Sequence, residues 1–227
     1  MPKVTVIDYG IGNLLSVCRA LEYCGATVEL TDSPEQILKA QFLILPGVGA
    51  FADGMEGLRQ RNLIPAILQY ASNGNPLLGI CLGMQLLMDS SEEFGNNKGL
   101  GLIPGRVVAI PPTGLNGEPH KIPHIGWNEL ILPNLIGTWE NTILDKVKPG
   151  DSVYFVHSFT CVPSDPRYRL ADCNYNGRII SAAIKSHNIY GCQFHPEKSG
   201  IIGLRIIQEF LKLTKKTVIM YGRKRLH

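Results

Sequence analysis

Short apolar segments alternate with longer amphipathic segments through the first half of the chain. Four apolar segments bounded by glycine, proline or aspartate predict β-strands at residues 3–8, 27–31, 41–45 and 76–80. Between them, two segments carry apolar side chains at helical spacing: residues 13–24, with Asn13 placed to cap the helix, and residues 53–70, where Pro65 is expected to interrupt it. This alternation predicts a mostly parallel sheet with helices on both faces.

From Gly105 onwards the pattern changes to short strand candidates separated by turn residues. They span residues 106–110, 128–132, 152–157, 169–174, 178–185 and 188–194, and an amphipathic helix follows over 200–213. Strands without intervening helices are typical of antiparallel pairing, so we expect a mixed or antiparallel extension of the same sheet. No repeat or linker divides the sequence. We therefore predict one α/β domain over residues 1–213 and a basic tail over residues 214–227.

Composition and charge narrow the classes of function. Hydrophobic residues make up 44% of the 227 residues and charged residues 18%, which is typical of a folded globular chain. The net charge is +3, but five basic residues and no acidic residue lie in the tail, and the 17 basic and 19 acidic residues elsewhere give −2. Without a basic face, the chain is not expected to bind nucleic acid.

The sequence predicts neither a secretory signal nor a membrane segment. The first residues, MPKVTVIDYG, lack a long apolar core, and no run of about 18 apolar residues is present. The six cysteines show no CxxC spacing, so we expect free, buried thiols and a cytoplasmic location. His120 and His124 are close in sequence but lack a third ligand at useful spacing, so we predict no metal site, and nothing indicates a cofactor.

The sequence GICLGMQ at residues 79–85 carries the most specific chemical signal. Cys81 falls where a buried strand meets a helix, with Gly79 and Gly83 on either side, as in a G-x-nucleophile-x-G elbow. The glycines allow a tight, strained turn. The helix start lowers the pKa of such a thiol and directs the backbone N–H of Leu82 at a developing oxyanion. The elbow predicts a cysteine nucleophile; the alternative is a buried structural cysteine.

A nucleophilic thiol needs a base, and the sequence HPE at residues 195–197 offers one with an orienting acid. His195 and Glu197 are two residues apart, so in an extended segment their side chains project to the same side. We predict that the carboxylate orients the imidazole. The sequence PGVGAF at residues 46–51 follows the third strand. Ligands bind at the carboxyl ends of parallel strands, so this loop is expected to lie near Cys81.

Together these segments resemble the triad-type class I glutamine amidotransferases, which combine a GxCxG elbow with a distant HPE. Three further blocks, DYGIGN (8–13), PHIGWN (123–128) and YFVHSF (154–159), narrow the resemblance to the glutaminase subunits of imidazole glycerol phosphate synthases within that family. The resemblance covers the chain from residue 7 to residue 200. It implies a flavodoxin-like α/β fold with a central, mostly parallel sheet.

The resemblance also implies residue roles. Cys81 would attack the side-chain amide of glutamine, His195 would shuttle the proton, and Glu197 would orient His195. The oxyanion hole would come from Leu82 and Val48. Glutamine would be held near five residues: Gly49, Gln85, His157, Ser158 and Phe159. The ammonia would pass to a (β/α)8-barrel cyclase subunit in a heterodimer that makes imidazole glycerol phosphate and aminoimidazole carboxamide ribotide in histidine biosynthesis. Three positions would lie near the subunit interface: Asn13, Trp127 and Tyr154.

Three other interpretations stay open at this point. The chain is a paralogous glutaminase that supplies ammonia to an amidotransferase acting on surface sugars, a non-catalytic α/β domain that regulates or scaffolds a partner, or a free-standing cysteine peptidase or hydrolase. Retention of Cys81, His195 and Glu197 argues against a silent domain, and a free-standing hydrolase would not need DYGIGN or PHIGWN.

Overall fold

The computed structural model describes residues 1–214, so the predicted tail lies outside the described residues except for Thr214. Seven strands form the central sheet. From one edge to the other they are β2 (Thr27–Thr31), β1 (Lys3–Ile7), β3 (Phe42–Gly47), β4 (Leu77–Cys81), β13 (Ile189–Cys192), β12 (Arg178–Ser186) and β11 (Arg169–Tyr175). The first five are parallel and the last two pair antiparallel. The predicted mostly parallel sheet with an antiparallel extension is confirmed.

Helices cover both faces of this sheet because its strands alternate apolar side chains to either side. Helices α1 (Leu14–Tyr23) and α6 (Gly200–Phe210) pack with Val4 and Ile44 on one face. The helices on the other face, where Leu43 and Leu45 lie, are α2 (Pro34–Lys39), α3 (Phe51–Gln60) and α4 (Leu63–Ser72). The short α5 (Leu82–Leu86) follows β4 directly. Within residues 1–214 no helix has the length and apolar character needed to span a bilayer.

Of two local predictions about the helices, one is wrong and the other is confirmed only for the position of the residue. The break expected at Pro65 falls at Asn62, whose left-handed backbone (φ 59°) separates α3 from α4. Pro65 instead lies in the first turn of α4, where a helix needs no N–H donor. Asn13 does precede α1, but its side chain makes no capping hydrogen bond, since its backbone (φ −89°, ψ 69°) departs from the extended conformation typical of caps.

The second half forms more than an extension of the central sheet. Four strands build a separate sheet in the order β10 (Phe159–Pro163), β7 (Gly105–Ala109), β5 (Ser90–Ser91) and β6 (Asn97–Lys98). A further antiparallel pair joins β8 (His124–Glu129) to β9 (Ser152–His157). Both β8 and β9 alternate more and less buried residues, as expected of strands with one covered face rather than two. The strand expected at 128–132 therefore starts earlier, at His124, and β10 was not predicted.

Candidate active site

Cys81 ends β4 and precedes α5 in a backbone conformation that side chains rarely adopt. Its φ is 54° and its ψ is −108°, and such strain is typical of functional positions. The flanking glycines are required by space. A Cβ atom on Gly79 would lie 2.6 Å from the carbonyl oxygen of Gly83, and one on Gly83 would lie 1.7 Å from that of Leu45. The turn between strand and helix therefore closes only with glycine at both positions.

His195 and Glu197 meet as the HPE spacing predicts. The Nδ1 atom of His195 lies 2.8 Å from Oε1 of Glu197, and both side chains are almost fully buried. The Nε2 atom makes no conventional hydrogen bond among the described residues. Burial alone would lower the pKa of His195, but interactions with Cys81 and Glu197 outweigh it and raise that pKa to about 9. The ring is therefore within electrostatic reach of the sulfur.

The backbone of His195 is fixed by strand β9. Its N–H donates to the carbonyl of Tyr154 (3.0 Å), and its own carbonyl accepts from the Ser199 hydroxyl (2.6 Å). The same hydroxyl accepts from the N–H of Tyr154 (3.0 Å). The orientation of the imidazole is thus coupled to the position of β9.

A pocket of about 290 Å³ opens beside Cys81. The seven residues predicted for the oxyanion hole and for glutamine binding all border it: Val48, Gly49, Leu82, Gln85, His157, Ser158 and Phe159. Three lining residues were not predicted: Glu93, Pro123 and Val156. Pro123 opens the PHIGWN block and Val156 lies within YFVHSF, so those blocks were a signal for them. Glu93 had none, because it lies in a polar loop after β5.

A buried tyrosine, Tyr9, contacts the start of the loop at residues 46–51. The Tyr9 hydroxyl donates to the carbonyl of Pro46 (2.7 Å), and a Cβ atom on Gly47 would lie 2.2 Å from the hydroxyl oxygen. Gly49 has a φ of 104° and open space around it. Val48 therefore stands between a glycine packed tightly on Tyr9 and a glycine free to change conformation.

Comparison with known proteins identifies the family. The sequence profile of the family "Glutamine amidotransferase class-I" matches residues 5–213. The chain belongs to the class I glutamine amidotransferases. Sequence relatives narrow this further. The chain is 56% identical over 213 residues to "Imidazole glycerol phosphate synthase subunit HisH 1" of Legionella pneumophila (strain Lens), covering 94% of this chain and 100% of that protein.

A second relative agrees. It is "Imidazole glycerol phosphate synthase subunit HisH" of Geobacillus sp. (strain WCH70), 45% identical over 210 residues, with 92% of this chain and 96% of that protein covered. These relatives place this amidotransferase among the HisH subunits. The word subunit in their names implies that those proteins work with a partner.

Solved structures share the fold at much lower identity. One, described as "Crystal structure of glutamine amidotransferase", aligns with a TM-score of 0.68 at 16% identity and covers 92% of this chain and 99% of that chain. The structure of PurLQS from Thermotoga maritima aligns with a TM-score of 0.68 at 21% identity, covering 92% and 97%. The amidotransferase fold predicted from the resemblance is confirmed.

This amidotransferase also contains a pair of histidines that sequence analysis did not connect. The Nδ1 atom of His157 lies 2.8 Å from the carbonyl of Phe159, which can only accept, so Nδ1 carries the hydrogen and Nε2 is an acceptor. The Nδ1–H of His124 donates to that Nε2 (3.0 Å), which leaves Nε2 of His124 facing the amide nitrogen of Asn128 at 3.4 Å. Burial lowers the pKa of His157 to about 3 and that of His124 to about 4. Both rings are therefore neutral at neutral pH.

Of the three positions predicted to lie near a partner, Trp127 and Tyr154 lie on the β8–β9 pair and Asn13 lies beside the triad residues His195 and Glu197. Trp127 is 59% exposed on β8 and meets Tyr154 on β9 edge-to-face, with ring centroids 6.1 Å apart. Asn13 borders a small cleft together with His195 and Glu197.

The two histidines that are close in sequence, His120 and His124, do not form a metal-binding pair. His124 instead forms a hydrogen bond with His157. Among residues 1–214, no cluster of three or more His, Cys, Asp or Glu is arranged to hold a metal ion.

Proposed function

We propose that this chain hydrolyses glutamine with a Cys81–His195–Glu197 triad and supplies the ammonia to an imidazole glycerol phosphate synthase. The observation that carries the proposal is the strained Cys81 elbow beside a pocket of about 290 Å³, within reach of an imidazole bound to Glu197. Names of relatives at 45–56% identity support histidine biosynthesis as the pathway.

The first half of the reaction follows from the charge state of His195. With a pKa of about 9, the ring carries a proton at neutral pH, which balances a thiolate at Cys81. The sulfur attacks the side-chain amide carbon, and the carbonyl electron pair moves to oxygen. Backbone N–H groups of Leu82 and Val48 would stabilise that oxyanion. The C–N bond then breaks as His195 gives its Nε2 proton to the nitrogen, ammonia leaves, and a thioester remains on Cys81.

The second half regenerates the enzyme. Deprotonated His195 takes a proton from water, which attacks the thioester, and the C–S bond breaks to release glutamate and the thiolate. Glu197 holds the imidazole in one tautomer through both halves. The pocket suits an amino-acid substrate: Gly49, Gln85, His157, Ser158 and Phe159 would hold glutamine, and Glu93 is the carboxylate among the described lining residues that matches an α-ammonium group.

The partner we propose is the (β/α)8-barrel cyclase subunit of that synthase, in a heterodimer. Free ammonia is protonated in neutral water and is then no nucleophile, so delivery within a complex is favoured. The exposed side chains of Ile125 and Trp127 stand on the β8–β9 pair, and Tyr154 of that pair binds the backbone of His195. A partner that covers this face, with Asn13, Trp127 and Tyr154 at its edge, would lie next to the triad.

Two coarser properties belong to the same proposal. The glutaminase domain is residues 1–213, as the family match over 5–213 supports. A cytoplasmic location is supported by six free cysteines, because thiols stay reduced in that compartment.

The experiment is glutamine hydrolysis with and without the cyclase subunit and its nucleotide substrate, for wild type, Cys81→Ala and the control Cys18→Ala. We expect stimulation by the loaded cyclase in wild type and in Cys18→Ala, and none in Cys81→Ala. Activity that survives in Cys81→Ala would remove the proposed nucleophile. An active wild-type glutaminase that an active cyclase fails to stimulate would direct the search to a sugar-modifying partner.

A further inference from the structure

Gln193 is a fully buried polar residue in direct contact with the reacting sulfur. It follows β13, and its backbone N–H donates to the carbonyl of Ala182 (2.9 Å), which fixes it to the sheet. The residue is 0% exposed, and its side-chain amide nitrogen lies 3.8 Å from Sγ of Cys81. No role for Gln193 follows from the triad or from the glutamine pocket.

The orientation of the Gln193 amide is dictated by a chain of hydrogen bonds that starts at a backbone carbonyl. The carbonyl of Phe159 can only accept, so the side-chain NH2 group, rather than the oxygen, of Gln85 faces it (3.3 Å). The same NH2 group lies 3.1 Å from the Gln193 side chain, which must therefore present its oxygen there. The NH2 group of Gln193 is left facing the sulfur.

A second neighbour of the sulfur is a hydrogen-bond acceptor. The carbonyl of Val156 lies 3.9 Å from Sγ of Cys81, where a thiol S–H can donate to it. The thiol form of Cys81 can therefore donate to the carbonyl of Val156, whereas the thiolate form can accept from the side-chain N–H of Gln193. The two neighbours favour different protonation states of the same atom.

We propose that Gln193 is a further catalytic residue, whose side-chain N–H donates to the Cys81 sulfur and stabilises the thiolate. The proposal deepens the function proposed above and rests on it. The sulfur is negatively charged twice in the cycle, before it attacks glutamine and when the thioester breaks. The side-chain amide of Gln193 can donate its hydrogen bond in both states, and it neither gains nor loses a proton. Gln85 is the positioning residue that holds the amide in this orientation.

Four titratable groups act on this sulfur, either directly or, for Glu197, through His195; His157 also interacts with His195 but is neutral at neutral pH. Two of them are neutral and buried, and burial with the charge of Cys81 raises the pKa of each. The other two form the triad with the sulfur. The groups are Tyr9 after β1, Cys161 on β10, His195 after β13 and Glu197 in the following turn. Substitution of Gln193 leaves all four in place, so a change in the thiolate fraction is attributable to the amide.

The test is the pH dependence of Cys81 alkylation by iodoacetamide in the full chain, followed at the Cys81 peptide by mass spectrometry. Gln193→Met keeps the length of the side chain and removes the donor; Gln193→Leu is a second such variant in case the first folds poorly, and thermal unfolding checks both. We expect the alkylation midpoint to rise by about one pH unit, equivalent to about a tenfold smaller thiolate fraction. The matched control, Gln208→Met on the exposed face of α6, should leave the midpoint unchanged.

A second arm separates orientation from packing. Gln85→Met removes the group that orients Gln193, so we expect a smaller rise of the midpoint in the same direction. In steady-state assays with the cyclase, Gln193→Met should lower kcat about tenfold and change KM less than twofold. A folded Gln193→Met with the wild-type midpoint would overturn the proposal and leave the triad intact. Wild-type Cys81 that reacts no faster than half-buried Cys18 at pH 6 would instead count against the triad itself.

Discussion

The buried histidines in and around the active site form two groups, and their pKa values shift in opposite directions. His195, bonded to Glu197, has its pKa raised to about 9, whereas the pKa values of His124 and His157 are lowered to about 4 and about 3. Burial lowers the pKa in all three cases. The difference lies in the partners: His195 has a carboxylate and a sulfur, which favour its charged form, whereas the hydrogen-bond partners of His124 and His157 are uncharged.

The comparison shows how one residue type serves two purposes within one site. A ring that carries a proton at neutral pH can act as an acid toward a leaving amine, and His195 has the charged neighbours for it. A neutral ring donates from one nitrogen and accepts at the other, and His157 and His124 use this to order the pocket wall at Phe159. Burial therefore does not reveal the role of a histidine, whereas its hydrogen-bond partners do.

The largest effect is expected from removal of the charged ring. His195→Asn should lower glutamine hydrolysis by at least about 10³-fold, because neither the thiolate nor the leaving amine then has a proton partner. The measurement is kcat with the cyclase present. His187→Asn is the matched control, since His187 is exposed in a left-handed turn that asparagine adopts readily. A loss below tenfold in His195→Asn would break the assignment of His195 as acid and base.

Neutralising the carboxylate tests the cause of the raised pKa. Glu197→Gln should lower the pKa of His195 from about 9 and reduce kcat about 10²-fold, since only the interactions with Cys81 then oppose the effect of burial. The pKa is read from nitrogen chemical shifts of histidine-labelled protein between pH 5 and 10. Cys81→Ala in the same titration isolates the share of the sulfur. A pKa that stays near 9 in Glu197→Gln would assign the shift to the sulfur alone.

The neutral pair should make the fold sensitive to acid. Folded His124 resists protonation down to about pH 4, whereas in the unfolded chain it binds a proton below about pH 6.5, so stability falls as pH drops below 6.5. His124→Phe keeps the stacking on Phe155 and Tyr175 but cannot titrate. Between pH 8 and pH 5 we expect wild type to lose about 2 kcal/mol more unfolding free energy than His124→Phe.

Urea unfolding at the two pH values measures this, and the values at pH 8 absorb any packing difference between the two proteins. An equal loss in both would mean that His124 is protonated in the folded state at pH 5, and the contrast with His195 would then fail.

The smallest effect comes from making the neutral pair resemble the charged one. Asn128→Asp would place a carboxylate where an amide nitrogen now lies 3.4 Å from Nε2 of His124, so the pKa of His124 should rise by about one unit. The histidine titration described above measures it. Asn128→Ala loses the same hydrogen bond to Asn174 without adding charge, and should leave the pKa of His124 low. An unchanged pKa in Asn128→Asp would mean that burial outweighs an adjacent carboxylate here.

The parts of the active site that are formed by residues close together in sequence could be predicted from the sequence alone. Gly79, Cys81 and Gly83 lie within five residues, and His195 is two residues from Glu197. The geometry within each of these two groups can therefore be predicted from residue spacing and backbone preference. The contacts of Gln193 with Gln85 and Cys81 join residues more than one hundred positions apart, and His124 meets His157 across a strand pair. Such contacts depend on strand order, which an apolar pattern does not specify.

The same limit applies to the fold. The parallel strands of the first half were predicted within a few residues because each is bounded by strong turn residues. The helix break was misplaced because proline is compatible with the first turn of a helix, where Pro65 lies. Nothing in the sequence around Asn62 indicates the left-handed backbone that separates the two helices. The small β8–β9 pair was merged with the central sheet because alternation predicts a strand but not its neighbour.

The chain contains two tryptophans in very different surroundings. Trp139 is 4% exposed and donates its indole N–H to the carbonyl of Leu170, whereas Trp127 is 59% exposed beside Tyr154, the residue that holds the backbone of His195. Iodide added to the solution will therefore quench the fluorescence of exposed Trp127 and leave that of buried Trp139 unchanged. The intrinsic fluorescence of the protein is a built-in optical reporter for any macromolecule that covers β8–β9, read one hydrogen bond away from the triad and without a label.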